Sequence, residues 1–264
     1  MLTFSLPAGL TVTEHCGNAI VRRRPEISSA RLLDLIEAEG ETLKVSPTNI
    51  TSRVDQYVVK ACSREAVLGV VKRTLRRNRY RRGWVAGLYL EKLGIGAPRV
   101  EGLVEQGRLG IIHASYLIME YLEGANNVER CLAEMVQDGA SEDRIRGFLH
   151  DLAQTVNALR DAGAYHRDLS GKNIFTRNGE VFYFIDLDSI VPVKRYSRGM
   201  QYTNHVQLYD SFCDFLEDDL LEPFLALMLP EGEDYPTWVK QVRRGQAERR
   251  SRQLAIWRKQ GRSL

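Results

Sequence analysis

The chain has 264 residues, 44% of them apolar, and a formal net charge of +3. That length fits one large domain or two lobes sharing a cleft, with enough apolar material for a sizeable core. Its four cysteines, at 16, 62, 131 and 213, form no C-x-x-C pair and no zinc spacing with histidine, so reduced thiols are expected.

Residues 1–27 read as short strands or loops, such as Leu10-Thr11-Val12 and Ala19-Ile20-Val21. Glu14 and the lack of an apolar run behind a basic start argue against a secretory signal. Ser28 or Ser29 caps a helix through Glu39, with Leu32, Leu33, Leu35 and Ile36 on its apolar face and Gly40 as its stop. Leu43-Lys44-Val45 and Ile50 to Val54 read as strands around the turn Ser46-Pro47-Thr48-Asn49. Gln56 to Lys60 is the next strand. Lys72 to Arg82 holds seven basic residues in eleven. The spacing predicts mainly helix over 63–93, with Trp84, Leu88 and Leu93 on one side and Gly94 at the end. Leu103-Val104 and Gly110-Ile111-Ile112 bracket a turn at Gly107, and Ser115 to Gly124 is a buried strand running into polar residues.

Ser141 is a good helix cap, with Glu142 and Asp143 in the first turn, where acids favour the positive helix end. Ile145, Phe148, Leu149, Leu152, Val156 and Leu159 form a helical stripe closed by Gly163. Asn173 to Thr176, a turn at Asn178-Gly179, and Val181 to Ile185 make a hairpin. That hairpin is expected to bring Asn173 near Asp186. Val191 to Gln207 is basic, and Leu208 to Leu229 returns to helical patterning. The apolar stretch Leu220 to Leu229, broken by Glu222 and Pro223, is too short to span a bilayer. The protein is therefore expected in the cytoplasm or against the inner face of a membrane.

Glu217, Asp218, Asp219 and Glu222 form an acidic patch, and Lys240 to Arg262 holds nine basic residues against one acid, Glu248. Basic clusters attract phosphate-rich partners such as nucleic acid, anionic lipid headgroups or a phosphorylated glycan. They are equally well read as solvated helix faces.

The most informative stretch is Tyr165-His166-Arg167-Asp168-Leu169-Ser170-Gly171-Lys172-Asn173-Ile174-Phe175. Thirteen positions after Asn173, the apolar run Phe182-Tyr183-Phe184-Ile185 ends on Asp186. The pattern H-R-D-L-x-x-x-N followed by a strand ending in Asp matches the catalytic loop and metal-binding strand end of kinase-like phosphotransferases. The chemistry needs one carboxylate on the acceptor hydroxyl, here Asp168. It needs a second carboxylate and an amide oxygen, Asp186 and Asn173, on the magnesium that bridges nucleotide phosphates. Lys60, closing an apolar strand like the V-A-I-K lysine, is the best nucleotide-binding lysine in the chain. Without the downstream motif it would be an ordinary strand-edge lysine.

At these residues the sequence resembles the bacterial lipopolysaccharide kinase family, whose members phosphorylate Kdo or heptose of the lipopolysaccharide inner core. Y-H-R-D-L-S-G-K-N-I-F, F-I-D-L-D and the short basic segment after it carry the resemblance, over about residues 55–215. It implies an α+β, protein-kinase-like fold of two lobes: an N-lobe at 1–119 with an antiparallel sheet plus helix, and a mainly helical C-lobe at 120–264. It implies phosphoryl transfer from ATP, with Mg2+, to a sugar hydroxyl. Asp168 would be the base, Asn173 and Asp186 metal ligands, and His166 a support of the loop. The implied partner is the core glycolipid, with peripheral contact to anionic membrane through the basic segments and no nucleic acid.

The sequence departs from the kinase pattern at four points. Ser46 to Asn49 stands where a Gly-rich phosphate loop belongs. The glutamate that should pair with Lys60 is unclear: Gly83 and Trp84 occupy its expected place, leaving Glu65 or Glu91. Asp188 replaces the glycine of D-F-G and would touch a second metal or face solvent. No A-P-E element follows. The same residues also suit an aminoglycoside-type small-molecule kinase or a protein kinase, although an aminoglycoside pocket should be acidic. A non-catalytic pseudokinase scaffold is the remaining alternative.

Overall fold

The computed structural model describes residues 4, 9–46, 49–62, 78–109 and 111–259. The chain divides into two compact units, residues 1–124 with 184–192 and residues 125–183 with 193–264.

The first unit is built on a seven-stranded antiparallel sheet. Its strands are β1 (Val12–Cys16), β2 (Ala19–Arg23), β3 (Glu41–Ser46), β4 (Asn49–Val54), β5 (Tyr57–Cys62), β6 (Val100–Arg108) and β7 (Ile111–Glu120), in the order β1-β2-β6-β7-β5-β4-β3. Helix α1 (Ser29–Glu37) starts where the Ser28 side chain accepts from the Arg31 N–H, as the sequence predicted. It seats Leu32 and Leu35 among Val21, Val59, Val104 and Ile118 of the sheet. Gly102 makes that seat possible, since a Cβ there would lie 2.3 Å from Leu32 Cδ1. Helix α2 (Arg79–Lys92) packs on β6 and β7. Its Gly87 lies so close to Val100 that a Cβ would come within 2.5 Å of Val100 Cγ1.

The second unit is mainly helical. It holds β8 (Asn126–Asn127), α3 (Val128–Gln137), α4 (Glu142–Asp161), β9 (Ala164–His166), the hairpin β10 (Ile174–Thr176) and β11 (Phe182–Phe184), α5 (Arg198–Phe212), α6 (Asp218–Ala226) and α7 (Tyr235–Lys259). Phe184, the last residue of β11, and the short strand β12 (Ile190–Pro192) belong to the first unit. Helix α4 buries the predicted stripe Ile145, Phe148, Leu149, Leu152, Val156 and Leu159, and Ser141 accepts from the Arg144 N–H at its start. Phe148 also meets Phe182 of β11 edge-on, with ring centroids 5.2 Å apart. That contact fixes the hairpin that follows the 166–173 loop. Helix α7 is tied to α5 by a buried hydrogen bond of 2.8 Å from the Trp238 indole N–H to His205 Nδ1. Burial pushes the His205 imidazole down to about 4, so it stays neutral and able to accept at physiological pH.

The structure corrects several expectations. Gly107 is not a turn: β6 runs through it to Arg108, which pairs with Ile111 of β7. The strand pairing slips between Gln106 and Gly107, where a Cβ would sit 2.5 Å from the Ile111 carbonyl oxygen. Of the helix expected over 63–93, residues 79–92 are helical, and residues 63–77, with Lys72 to Arg77 of the basic run and Glu65, lie outside the described residues. The segment read only as basic, Val191 to Gln207, contains the first two thirds of α5. The acidic patch and the basic tail neutralise one another in part. Arg243 reaches Asp218 at 2.7 Å and also bonds Glu222, while Arg250 reaches both Asp210 and Asp214 at 2.7 Å.

Candidate active site

In the first unit the Lys60 ammonium donates to the carboxylates of both Asp186 and Asp188. Lys60 lies on β5 opposite Leu117 of β7, on the face of the sheet that α2 covers. Asp186 has left-handed backbone angles, φ 56° and ψ 48°, a conformation that non-glycine residues adopt at an energetic cost. The turn is held by the Ser189 N–H on the Asp186 carbonyl at 2.8 Å and the Ser189 hydroxyl on Asp186 Oδ2 at 2.6 Å. Burial alone would raise the Asp186 carboxyl, but the Lys60 charge and hydrogen bond overcome it and hold the group well below the usual carboxylate range.

Asp188 neither faces solvent nor stands open for a metal. Its side chain is 3% exposed, and Arg79 Nε donates to its second oxygen at 2.6 Å. The helix glutamate expected beside Lys60 is replaced by this arrangement among the described residues. Glu91 is engaged elsewhere, by Arg24. Gly83 sits where a side chain would collide, since a Cβ there would lie 2.9 Å from Leu117 Cδ2 and 3.3 Å from the Asp188 backbone nitrogen. Helix α2 thus presents a bare backbone at Gly83 and a cation one turn earlier. Among the described residues, the counter-charges of Lys60 come from the 186–188 turn.

In the second unit Asp168 is exposed, and its carboxylate accepts from Asn173 Nδ2 at 3.0 Å. The same amide nitrogen donates to the Asp168 carbonyl at 2.8 Å. His166 is fully buried, and its Nδ1 accepts from the Asp168 N–H at 3.2 Å, so it braces the loop from beneath. The loop is also clamped by a polar stripe on α5 that the sequence reading missed. Asn204 Nδ2 donates to the His166 carbonyl at 2.8 Å, and Gln207 Nε2 donates to the Arg167 carbonyl at 3.0 Å. The Leu169 N–H donates to Gln207 Oε1 and the Gly171 N–H to Ser211 Oγ, each at 2.8 Å. The spacing 204, 207, 211 puts all three on one helix face. That spacing was the available signal, hidden inside a segment noticed only for its charge. Gly171 admits the close approach, because a Cβ there would be 2.9 Å from the Phe212 ring.

The structure therefore brings Lys60 together with Asp186 and Asp188, and Asp168 together with Asn173. The donor chemistry fits Mg2+: carboxylate and amide oxygens are the ligands of a hard cation that keeps several of its own waters. Asn173 turns its amide nitrogen, not its amide oxygen, to Asp168. Among the described residues no group of three or more His, Cys, Asp and Glu side chains forms a self-contained metal cage.

The lipopolysaccharide kinase (Kdo/WaaP) family profile matches residues 28–223. A solved structure described as WaaP in complex with acyl carrier protein is similar in fold, with a TM-score of 0.62 and 18% identity over 83% of this chain and 92% of that one. WbdD is a more distant match, with a TM-score of 0.47 and 18% identity over 79% of this chain and 46% of that one. No curated protein matches by sequence. The fold is thus protein-kinase-like, and the chain belongs to the lipopolysaccharide kinase (Kdo/WaaP) family.

Proposed function

We propose that this lipopolysaccharide core kinase transfers the γ-phosphoryl group of ATP, with Mg2+, to a hydroxyl of an inner-core sugar, Kdo or heptose. The observation that carries this reading is the exposed Asp168 carboxylate, tied to Asn173 and fixed from beneath by α5. Asp168 orients the acceptor hydroxyl and takes its proton as the oxygen bonds to phosphorus. Asn173 and Asp186 would hold the magnesium, which when bound would neutralise the charge on the phosphate oxygens. Lys60, kept in place by Asp186 and Asp188, supplies a positive charge toward the phosphates. Its ion pairs pre-position it, so less rearrangement is needed when the nucleotide arrives.

The test is labelled-phosphate transfer from ATP to a panel: delipidated lipopolysaccharide core, an aminoglycoside, a generic protein and water. Label in the core sugar supports the reading. Label only in the aminoglycoside or the protein replaces it with a small-molecule or protein kinase, and label in none leaves the pseudokinase scaffold. No helix among the described residues is long and apolar enough to cross a membrane. We place the enzyme in the cytoplasm, acting peripherally at the inner face of the inner membrane. The WaaP complex makes acyl carrier protein the first protein partner to test, by pull-down with the full chain.

A further inference from the structure

Helix α2 opens on Arg79, and its first turn holds no acidic residue. A cation at a helix N-terminus opposes the macrodipole, so Arg79 stands there against local preference. Such conflicts between local preference and sequence mark functional positions. The residues on either side of it are buried anchors. Asn78 accepts from the Tyr80 N–H at 3.1 Å and donates to Glu105 Oε1 at 2.8 Å and Ser115 Oγ at 2.5 Å. The Tyr80 hydroxyl donates to Asn49 Oδ1 at 2.6 Å. The backbone at Arg79 is therefore fixed on both sides, and its side chain projects from that base to the 186–188 turn.

Asp188 divides its oxygens between two cations. Oδ1 accepts from Lys60, while Oδ2 accepts from Arg79 Nε at 2.6 Å and pairs with Nη2 at 2.5 Å. Lys60 and Arg79 are thus one carboxylate apart. Burial disfavours the Arg79 charge, yet Asp188, Tyr80 and Asp186 together outweigh it, so the guanidinium sits in the field of both aspartates. Exposure separates the two cations: the Lys60 side chain is 13% exposed and that of Arg79 37%. A guanidinium is planar. With Nε and Nη2 turned to Asp188, its outer Nη1–Nη2 edge lies away from the carboxylate, in a geometry that suits phosphate.

The charges point the same way. Lys60 and Arg79 balance Asp186 and Asp188. With Asp186 given over to Mg2+, Asp188 remains as one carboxylate against two cations, and the surplus positive charge suits a polyphosphate. Ser46-Pro47-Thr48-Asn49 stands where a Gly-rich loop would supply backbone donors, which gives side-chain donors more to do.

We propose that Arg79 is a second phosphate-binding cation of the nucleotide site. Lys60 and Arg79, spaced by Asp188, meet the phosphate oxygens of ATP as a pair. The proposal rests on the ATP reading above and is independent of the acceptor sugar.

The experiment is calorimetric titration of the full chain with Mg2+–ATP and with adenosine, for wild type, Arg79→Met, Asp188→Asn and the double variant. Arg79→Met should weaken ATP about tenfold, the loss of a charge-assisted hydrogen bond, and leave adenosine unchanged. A mere counter-ion of Asp188 would also weaken ATP, by disturbing Lys60. The Asp188→Asn background removes that route, because no carboxylate is left for Arg79 to neutralise and Asp186 still holds Lys60. It also spares the Arg79 substitution from stranding a buried charge, so the double variant is informative even where Arg79→Met alone unfolds. In that background Arg79→Met should still weaken ATP about tenfold. Equal ATP affinity of Asp188→Asn and the double variant overturns the proposal, as does a loss equally large for adenosine. A wild type that binds no nucleotide removes the ATP reading and the proposal with it, whereas normal ATP binding with an indifferent Arg79 removes the proposal alone.

Discussion

Asp188 and Asp168 both lie in kinase-motif segments, yet their surroundings are opposite. Asp188 is 3% exposed and clasped by Lys60 and Arg79. Asp168 faces solvent and accepts from a neutral amide, on a loop held by hydrogen bonds to α5. A buried carboxylate with two cations is an ionic structural element, because removing one partner leaves charge stranded out of water. An exposed carboxylate on a braced loop remains free to meet a substrate. Proximity to the motif therefore does not make two carboxylates alike, since burial and partners set them apart.

This contrast can be broken in order of expected effect. Asp168→Ala should lower kcat by about 10² to 10⁴-fold, the usual contribution of a positioned base. Its urea-unfolding free energy should move by less than about 0.5 kcal/mol, as for an exposed site. A variant that unfolds early would show that Asp168 is structural like Asp188. Asp188→Ala should do the reverse and destabilise the fold by about 3 kcal/mol, read from the urea midpoint. The low end of the usual range applies because the Arg79 side chain is 37% exposed and can rehydrate. Asp188→Ala combined with Arg79→Ala should recover part of that loss, and full additivity of the two changes would deny the pairing.

Gln207→Ala sharpens the other side of the comparison. It strands the Leu169 N–H and the Arg167 carbonyl, at about 1–3 kcal/mol of stability. Because it loosens the loop rather than the Lys60–Asp186–Asp188 cluster, kcat should fall while KM for ATP holds. A rise in that KM with unchanged kcat would reject the clamp.

The smallest effect is a pH dependence. The Asp186 carboxyl is depressed in the folded protein, so the stability it contributes is full above its unfolded value near 4 and drains away as pH falls below it. Lys60→Met removes the cation that holds it down and leaves burial to raise it. The acid-unfolding midpoint of that variant should move to higher pH, and an unchanged midpoint would show that Lys60 does not set the Asp186 charge.

Much of the site was legible in the chain. The interval from His166 through Asp168 to Asn173, the hairpin after it and the capped helix α4 all follow from local spacing, turn chemistry and a 3.6-residue stripe. Lys60 was legible only through the downstream motif. What escaped detection depends on partners far along the chain. Lys60 and Asp188 lie 128 residues apart, so nothing near Asp188 marks it as buried. The α5 stripe is invisible until its helix faces the loop. Gly107 read as a turn because glycine is the commonest turn signal, although here it serves a bulge where a Cβ would strike the neighbouring strand.

By itself, the sequence determined the phosphotransferase motif, the α+β class and the starts of helices α1 and α4, because these rest on residues within a few positions of one another. Tertiary structure alone decided which acids are neutralised and which glycines accept close backbone approach. Burial and charge pairing are properties of three-dimensional neighbours, and no local spacing encodes them.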